Sequence, residues 1–403
     1  MRLMLQFGHG MIEHTRALLR EWGDGGVILS PRDLDAEQII RVGSEIRRLG
    51  VEVLIDPQCF AHDADHSRLA SHAHFNAFRK CTTNQLFTPD GAREVLRPLA
   101  RYATEIDAEA IVIPGLLARP VSDEWLGLQS HMINMANNES GGRKVIGTVA
   151  VGEESMCNEE SMEAIVDAAE EWNVSAVYVI AEAPSEYLVD DPVWLANLLV
   201  LVSGLKLQRK RVILGYANHQ MLCAAAANVD AIASGTWLNV RGFPIDKFYQ
   251  PAEDEESRRT TWYYCPQSLS EYKIPYLEIA KRVGVLGRMR PPVGLGSRYA
   301  EPLFGGVSPG AVNWREPDAF RHYLACLRGQ CSECSAASFQ EALKIQHDLL
   351  DGAAAVAAAL TAKGVRGDYR DFGKCFDTNR AALAVLQHAR GGRLTREWQG
   401  DGS

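Results

Sequence analysis

The chain has 403 residues, 46% hydrophobic and 23% charged, with a formal net charge of −9. That length admits one large α/β barrel with an appendage, or two to three smaller domains, and the composition excludes a disordered polypeptide. The acidic balance excludes a chain-wide basic surface for nucleic acid, so any such surface is local, as at KLQRKR (206–211), LGRMR (286–290) and RGGRLTR (390–396), or comes from a partner subunit. The opening MRLMLQFGHG holds too short an apolar run for a signal peptide. The most apolar stretch, VWLANLLVLVSGLKL, is too short to span a bilayer, so a cytoplasmic protein without membrane contact is expected. Nine cysteines scattered from Cys59 to Cys375 read as buried thiols or occasional ligands rather than a disulfide framework.

In chain order, short apolar β-rich runs alternate with helix-like segments. RLMLQF (2–7) precedes GMIEHTRALLREWGDG; GVILS (26–30) precedes DAEQIIRVGSEIRRLG; VEVLID (51–56) leads through a His-rich loop to TPDGAREVLRPLARYATEI. EAIVIPG (109–115), KVIGTVAVG (144–152) and SAVYVIAEA (175–183) are each followed by a segment with apolar residues at three-to-four spacing behind a Ser, Asn or Asp cap. RVILGY (211–216), the Ala-rich HQMLCAAAAN and VDAIASG (229–235) complete the series. Eight strands alternating with helices over about 235 residues predict an α/β (β/α)8 TIM-type barrel at 1–245. A doubly wound open sheet is the alternative, but its phosphate fingerprint is reduced to G-x-G in FGHGM. From 246 to 403 the rhythm stops. A mixed aromatic stretch and a Pro/Gly-rich stretch lead into two or three helices over 317–390, a mostly helical region expected to pack on the barrel.

In such a barrel, working residues sit at the C-terminal strand ends. These ends carry Ser30 and Arg32, Asp56 and Gln58, Glu153, Glu182, then Tyr216, Asn218 and His219, then Ser234, Trp237, Asn239 and Arg241. The small residues at 233–236 are expected to leave room at the mouth, with Asn239 and Arg241 on its rim. Each has a structural reading beside the functional one: Asp56 before Pro57 as a turn former, Glu182 as a solvated carboxylate, Asn218 as a helix cap, Arg241 as half of a surface ion pair. A barrel lyase or aldolase would need a Schiff-base lysine at a strand end, and none of the eight ends has one. Metal ligation has two candidates: the loop with His62, Asp63, Asp65, His66, His72 and His74, and Cys326, Cys331, Cys334 with His347, a zinc set of no common spacing.

LIDPQCF, RVILGYAN and NVDAIASGTWLNVR together resemble the tRNA-guanine transglycosylase superfamily, more closely its distant branch associated with DNA 7-deazaguanine modification. The likeness covers roughly 50–245 and rests on strand order. It implies exchange of a purine or deazapurine base in DNA or tRNA, by an oligomer or a subunit of a larger complex. Under it, Asp56 and Glu182 are catalytic, and Gln58, Tyr216, Asn218, His219, Ser234, Trp237, Asn239 and Arg241 bind substrate. The chain departs from the family in two places. Ala233 stands where the family has its nucleophilic aspartate, and the compact cysteine motif for zinc is absent around Cys265, although His347-Asp348 resembles the family's terminal ligand pair. A catalytically silent barrel that binds a base or serves as a scaffold is therefore the alternative function.

Overall fold

Strands buried on both faces must be apolar throughout, and the eight apolar runs of this chain form such strands. The computed structural model describes residues 1–184, 187–250 and 260–398. The strands are β1 (Arg2–Gln6), β2 (Gly26–Leu29), β3 (Glu52–Ile55), β4 (Ala110–Val112), β5 (Lys144–Val151), β6 (Ala176–Ala181), β7 (Arg211–Leu214) and β8 (Ala231–Ser234). All pair in parallel, in the order β3-β2-β1-β8-β7-β6-β5-β4, with β1 in register between Leu5↔Val27 and Met4↔Ala233. A two-residue extension at Leu117–Ala118 runs beside the end of β5. β3 and β4 lie side by side and close the ring without a ladder between them. Above this seam the loops are stitched by Leu117 N–H donating to the Phe60 carbonyl at 3.0 Å. The barrel and helical C-terminal region expected from the sequence are thus present.

The helices α1 (Met11–Trp22), α2 (Ala36–Arg47), α3 (Pro89–Ile106), α4 (Asp123–Glu139), α5 (Glu159–Glu170) and α6 (Pro192–Leu207) form the outer layer. Side-chain caps start most of them: Asp35, Thr88, Ser122, Asn158 and Asp191 each accept from a backbone N–H in the first turn. α6 is apolar almost all round because it is covered twice, by the barrel inside and by the last helix outside. After β7 the layer thins to a 3-10 segment, His219–Ala227, whose nine residues are all buried. Its small alanines let the C-terminal helices α8 (Glu316–Glu333), α9 (Phe339–Thr361) and α10 (Cys375–Glu397) close over it.

Between barrel and helices the chain forms an antiparallel hairpin, β9 (Trp262–Cys265) and β10 (Ser270–Lys273), followed by α7 (Ile274–Arg282). One hairpin face joins the main core through Tyr264, and the other builds a smaller core of Tyr263, Tyr272, Leu277, Met289 and Trp314. Among the described residues no helix is long and apolar enough to cross a membrane.

Candidate functional site

Asp56 follows the last residue of β3, and the Asp-Pro step turns the chain inward over the barrel mouth. Its carboxylate is fully buried. Tyr216, beyond the end of β7, donates its hydroxyl to Oδ2 at 2.6 Å, and Tyr178 of β6 shares its hydroxyl between Oδ2 at 3.3 Å and Gln6 Oε1 at 3.2 Å. The backbone N–H of Gln58 donates to Oδ1 at 3.0 Å. Burial pushes the Asp56 carboxyl up to about 6, while Tyr216, the Gln58 N–H, the positive charge of Lys247 and Tyr178 limit the rise.

The backbone is bent to make this arrangement. Gln58 and Tyr216 have φ of 57° and 51°, a left-handed conformation that costs a non-glycine residue roughly 1 kcal/mol or more. Gly215 permits the approach of Tyr178, since a Cβ there would stand 2.4 Å from the tyrosine ring. Gln58 connects Asp56 to the outside: its Nε2 donates to Ser30 Oγ at 2.9 Å and to the Tyr216 hydroxyl at 3.3 Å, and its Oε1 accepts the Arg32 N–H at 2.8 Å.

Arg32 belongs to the wall of a cleft of about 1050 Å³ at the mouth. Five basic side chains line it, Arg32, Arg68, Arg241, Lys273 and Arg370, against the acids Asp33, Glu271 and Glu316, with Trp237, Trp262, Phe320 and Tyr369 between them. In a chain of net charge −9 this is a local reversal of sign. Arg241 and Arg370 share one carboxylate, Glu271 of β10, at 3.3 and 2.8 Å, and Tyr187 donates its hydroxyl to the same group. Burial would raise the Glu271 carboxyl, but the two guanidiniums outweigh it and hold it down at about 2. The guanidinium of Arg241 lies 3.5 Å from the Tyr323 ring centroid, and that of Arg370 lies 4.3 Å from the Trp262 ring. Two cations sharing one anion leave a net positive charge, and the buried Arg370 Nε has no hydrogen-bond partner among the described residues.

The structure distributes the expected site residues over three groups. Asp56, Gln58 and Tyr216 form the buried network, while Trp237, Asn239 and Arg241 line the cleft. Glu182 goes elsewhere: Arg119 grips both of its oxygens, and the Glu153 N–H donates to Oε2 at 3.1 Å. Asn218 caps the 3-10 segment through Gln220 N–H at 2.8 Å and donates to the Tyr187 and Arg241 carbonyls. His219 is boxed by Tyr187, Tyr264, Tyr323 and Phe372, and burial lowers it to about 4.

The small residues at 233–236 serve close packing instead of open space. Ala233, Ser234 and Thr236 are buried, and a Cβ on Gly235 would stand 2.4 Å from the Gln6 carbonyl oxygen. Trp237 packs on Phe320 at 5.0 Å and donates to the His9 carbonyl. Among the described residues no cluster of three or more His, Cys, Asp or Glu is arranged to hold a metal. Cys326, Cys331 and Cys334 are buried whereas His347 is exposed, and His62, His72 and His74 bond to Phe78, Leu34 and Pro57 carbonyls.

Two functional candidates lie outside the strand ends. Glu271 arrives from the hairpin, thirty residues after Arg241. Lys247 arrives from the Ile245–Phe248 turn and sets an amine at the mouth although none of the eight barrel strands ends in lysine; its aromatic flanks, Phe243 and Phe248, are the one sequence signal.

No family model and no curated protein matches the chain. Among solved structures it is similar to the "C-terminal domain of putative chitinase from Desulfitobacterium hafniense DCB-2", at 11% identity and a TM-score of 0.33. The match covers 53% of this chain and 65% of that one, less than two thirds of its length. A likeness that faint carries no argument about fold or chemistry.

Proposed function

We propose that this barrel breaks and re-forms a glycosidic bond of a purine or 7-deazapurine nucleotide in DNA or tRNA, a base exchange, with Asp56 as the catalytic carboxylate. The observation that carries the reading is Asp56 itself: a buried carboxylate at the C-terminal mouth of a (β/α)8 barrel, held by two tyrosine hydroxyls and an N–H. Cleaving a glycosidic bond builds oxocarbenium character at the sugar, and a desolvated carboxylate stabilises it far more than one in water. The cleft above supports the same class of ligand. Its guanidiniums suit phosphate, its indole and phenyl rings suit a stacked base, and its volume suits a nucleotide unit. Exchange of labelled guanine into tRNA and into single-stranded DNA tests the reading, with incorporation into one of them expected.

Ala233 favours a second reading. It is a buried methyl at a strand end next to the network, with no nucleophilic atom to offer, and protein donors already occupy both Asp56 oxygens. A silent barrel would bind guanine or a 7-deazaguanine, seen as a shift in melting temperature, and exchange none.

A further inference from the structure

A primary amine is buried beside the Asp56 network, and among the described residues no carboxylate is paired with it. Lys247 is 9% exposed, and its Nζ lies 3.6 Å from the centroid of the Tyr216 ring and 4.9 Å from that of Phe248. It donates to the Asn239 carbonyl at 2.7 Å, and no carboxylate oxygen among the described residues comes within ion-pair distance of it. Arg32 Nε fixes the backbone below by donating to the Lys247 carbonyl at 2.6 Å, and the His66 N–H holds the next-door Phe248 carbonyl. The ring under the amine is the same Tyr216 whose hydroxyl bonds Asp56. One tyrosine therefore separates an amine from a carboxylate.

A lysine whose only task is packing lets its ammonium reach water; here the ammonium is walled in by rings. Asp33 and Asp56 attract its charge and Arg32 repels it, yet burial outweighs them and holds the amine well below the usual lysine range. A desolvated amine in an aromatic pocket is an activated nucleophile.

We propose that Lys247 is the covalent nucleophile of this site and attacks the sugar C1′ of the bound nucleotide. This deepens the base-exchange reading and rests on it. The Nζ lone pair forms the N–C1′ bond while the C1′–base bond breaks, and the base leaves with that electron pair and one Nζ proton. The remaining Nζ lone pair then forms C=N as the C1′–O4′ bond breaks, and O4′ takes the second Nζ proton. The products are free base and an imine between Lys247 and the open sugar, and the reverse steps with another base complete the exchange. No further reactant is needed.

Ribose 5-phosphate presents the same aldehyde carbon and a phosphate, and sodium cyanoborohydride reduces its imines to stable amines. Peptide mass spectrometry of the full chain after this treatment should show Lys247 labelled at least about tenfold above the exposed Lys344 and Lys363. Labelling of Lys344 and Lys363 as strong as that of Lys247 overturns the proposal. Lys247→Met keeps the stem over Tyr216 without the amine and should lower guanine release at least about a hundredfold; Lys247→Arg, which keeps a basic side chain without a primary amine, serves if the first variant fails to fold. Release at the wild-type rate by either folded variant overturns Lys247 while leaving base exchange standing. Selective labelling in a wild type that releases no base supports the amine and overturns the exchange.

Discussion

Asp56→Asn should stabilise the protein at neutral and alkaline pH. The folded chain holds this carboxyl at about 6 against an ordinary 3.8, chiefly because the charge is desolvated. A folded-state pKa above the unfolded one means a contribution to stability fully present below about 3.8 and lost as pH rises through about 6. At 1.36 kcal/mol per unit, ionised Asp56 costs about 3 kcal/mol at pH 8. Asparagine resembles the neutral acid in shape: its Oδ1 still accepts the Gln58 N–H, and its amide N–H can donate to the Tyr216 hydroxyl oxygen where the carboxylate accepted from it, so it escapes that cost. Part of the gain is offset because Lys247 loses the attraction of the carboxylate. The net expectation is about 1 to 3 kcal/mol, read as a melting temperature a few degrees above wild type near pH 8 and equal to it near pH 4. Thermal melts of both proteins across that range make the measurement. A variant melting several degrees below wild type near pH 8 would instead make the charge a structural anchor rather than a strained functional group.

Tyr216→Phe removes the 2.6 Å hydrogen bond that favours the ionised carboxylate. The acid limb of the pH–activity profile should move upward by about one unit, and an unmoved limb would place another group in the titration. Glu271→Gln leaves Arg241 and Arg370 buried without a counter-charge, and urea melts should show a loss of about 3 to 5 kcal/mol. Arg370→Met should abolish stabilisation of the fold by inorganic phosphate, measured as a melting shift, if the cleft binds the ligand through this guanidinium. Gly215→Ala drives a methyl into the Tyr178 ring and should cost about 1 to 3 kcal/mol together with activity.

The barrel was legible because a parallel sheet buried on both faces writes each strand as an unbroken apolar run, and capping residues such as Asp35 and Thr88 punctuate the helices. The hairpin at 262–273 was not. Tyr263 and Tyr264 are both buried, one toward each core, so the alternation that marks a half-buried strand is absent. Strand-end position singled out Asp56, Gln58 and Tyr216, which the structure joins by hydrogen bonds. Position alone could not show that Glu182 meets Arg119, which is 63 residues earlier in the chain, or that Arg241 and Arg370 meet over Glu271. Such partners depend on tertiary packing and leave no local period. Lys247 was hidden for the same reason, since a turn after the last strand folds its amine back over the mouth.

The central claim is that Asp56 performs glycosidic chemistry, and guanine release from tRNA and single-stranded DNA by wild type and Asp56→Asn tests it most directly. Losing a catalytic carboxylate removes several kcal/mol of transition-state stabilisation, at about 1.4 kcal/mol per factor of ten. Release by wild type is expected, with a fall of at least about a hundredfold in a variant that still melts cooperatively. Equal rates in the two proteins would contradict the claim.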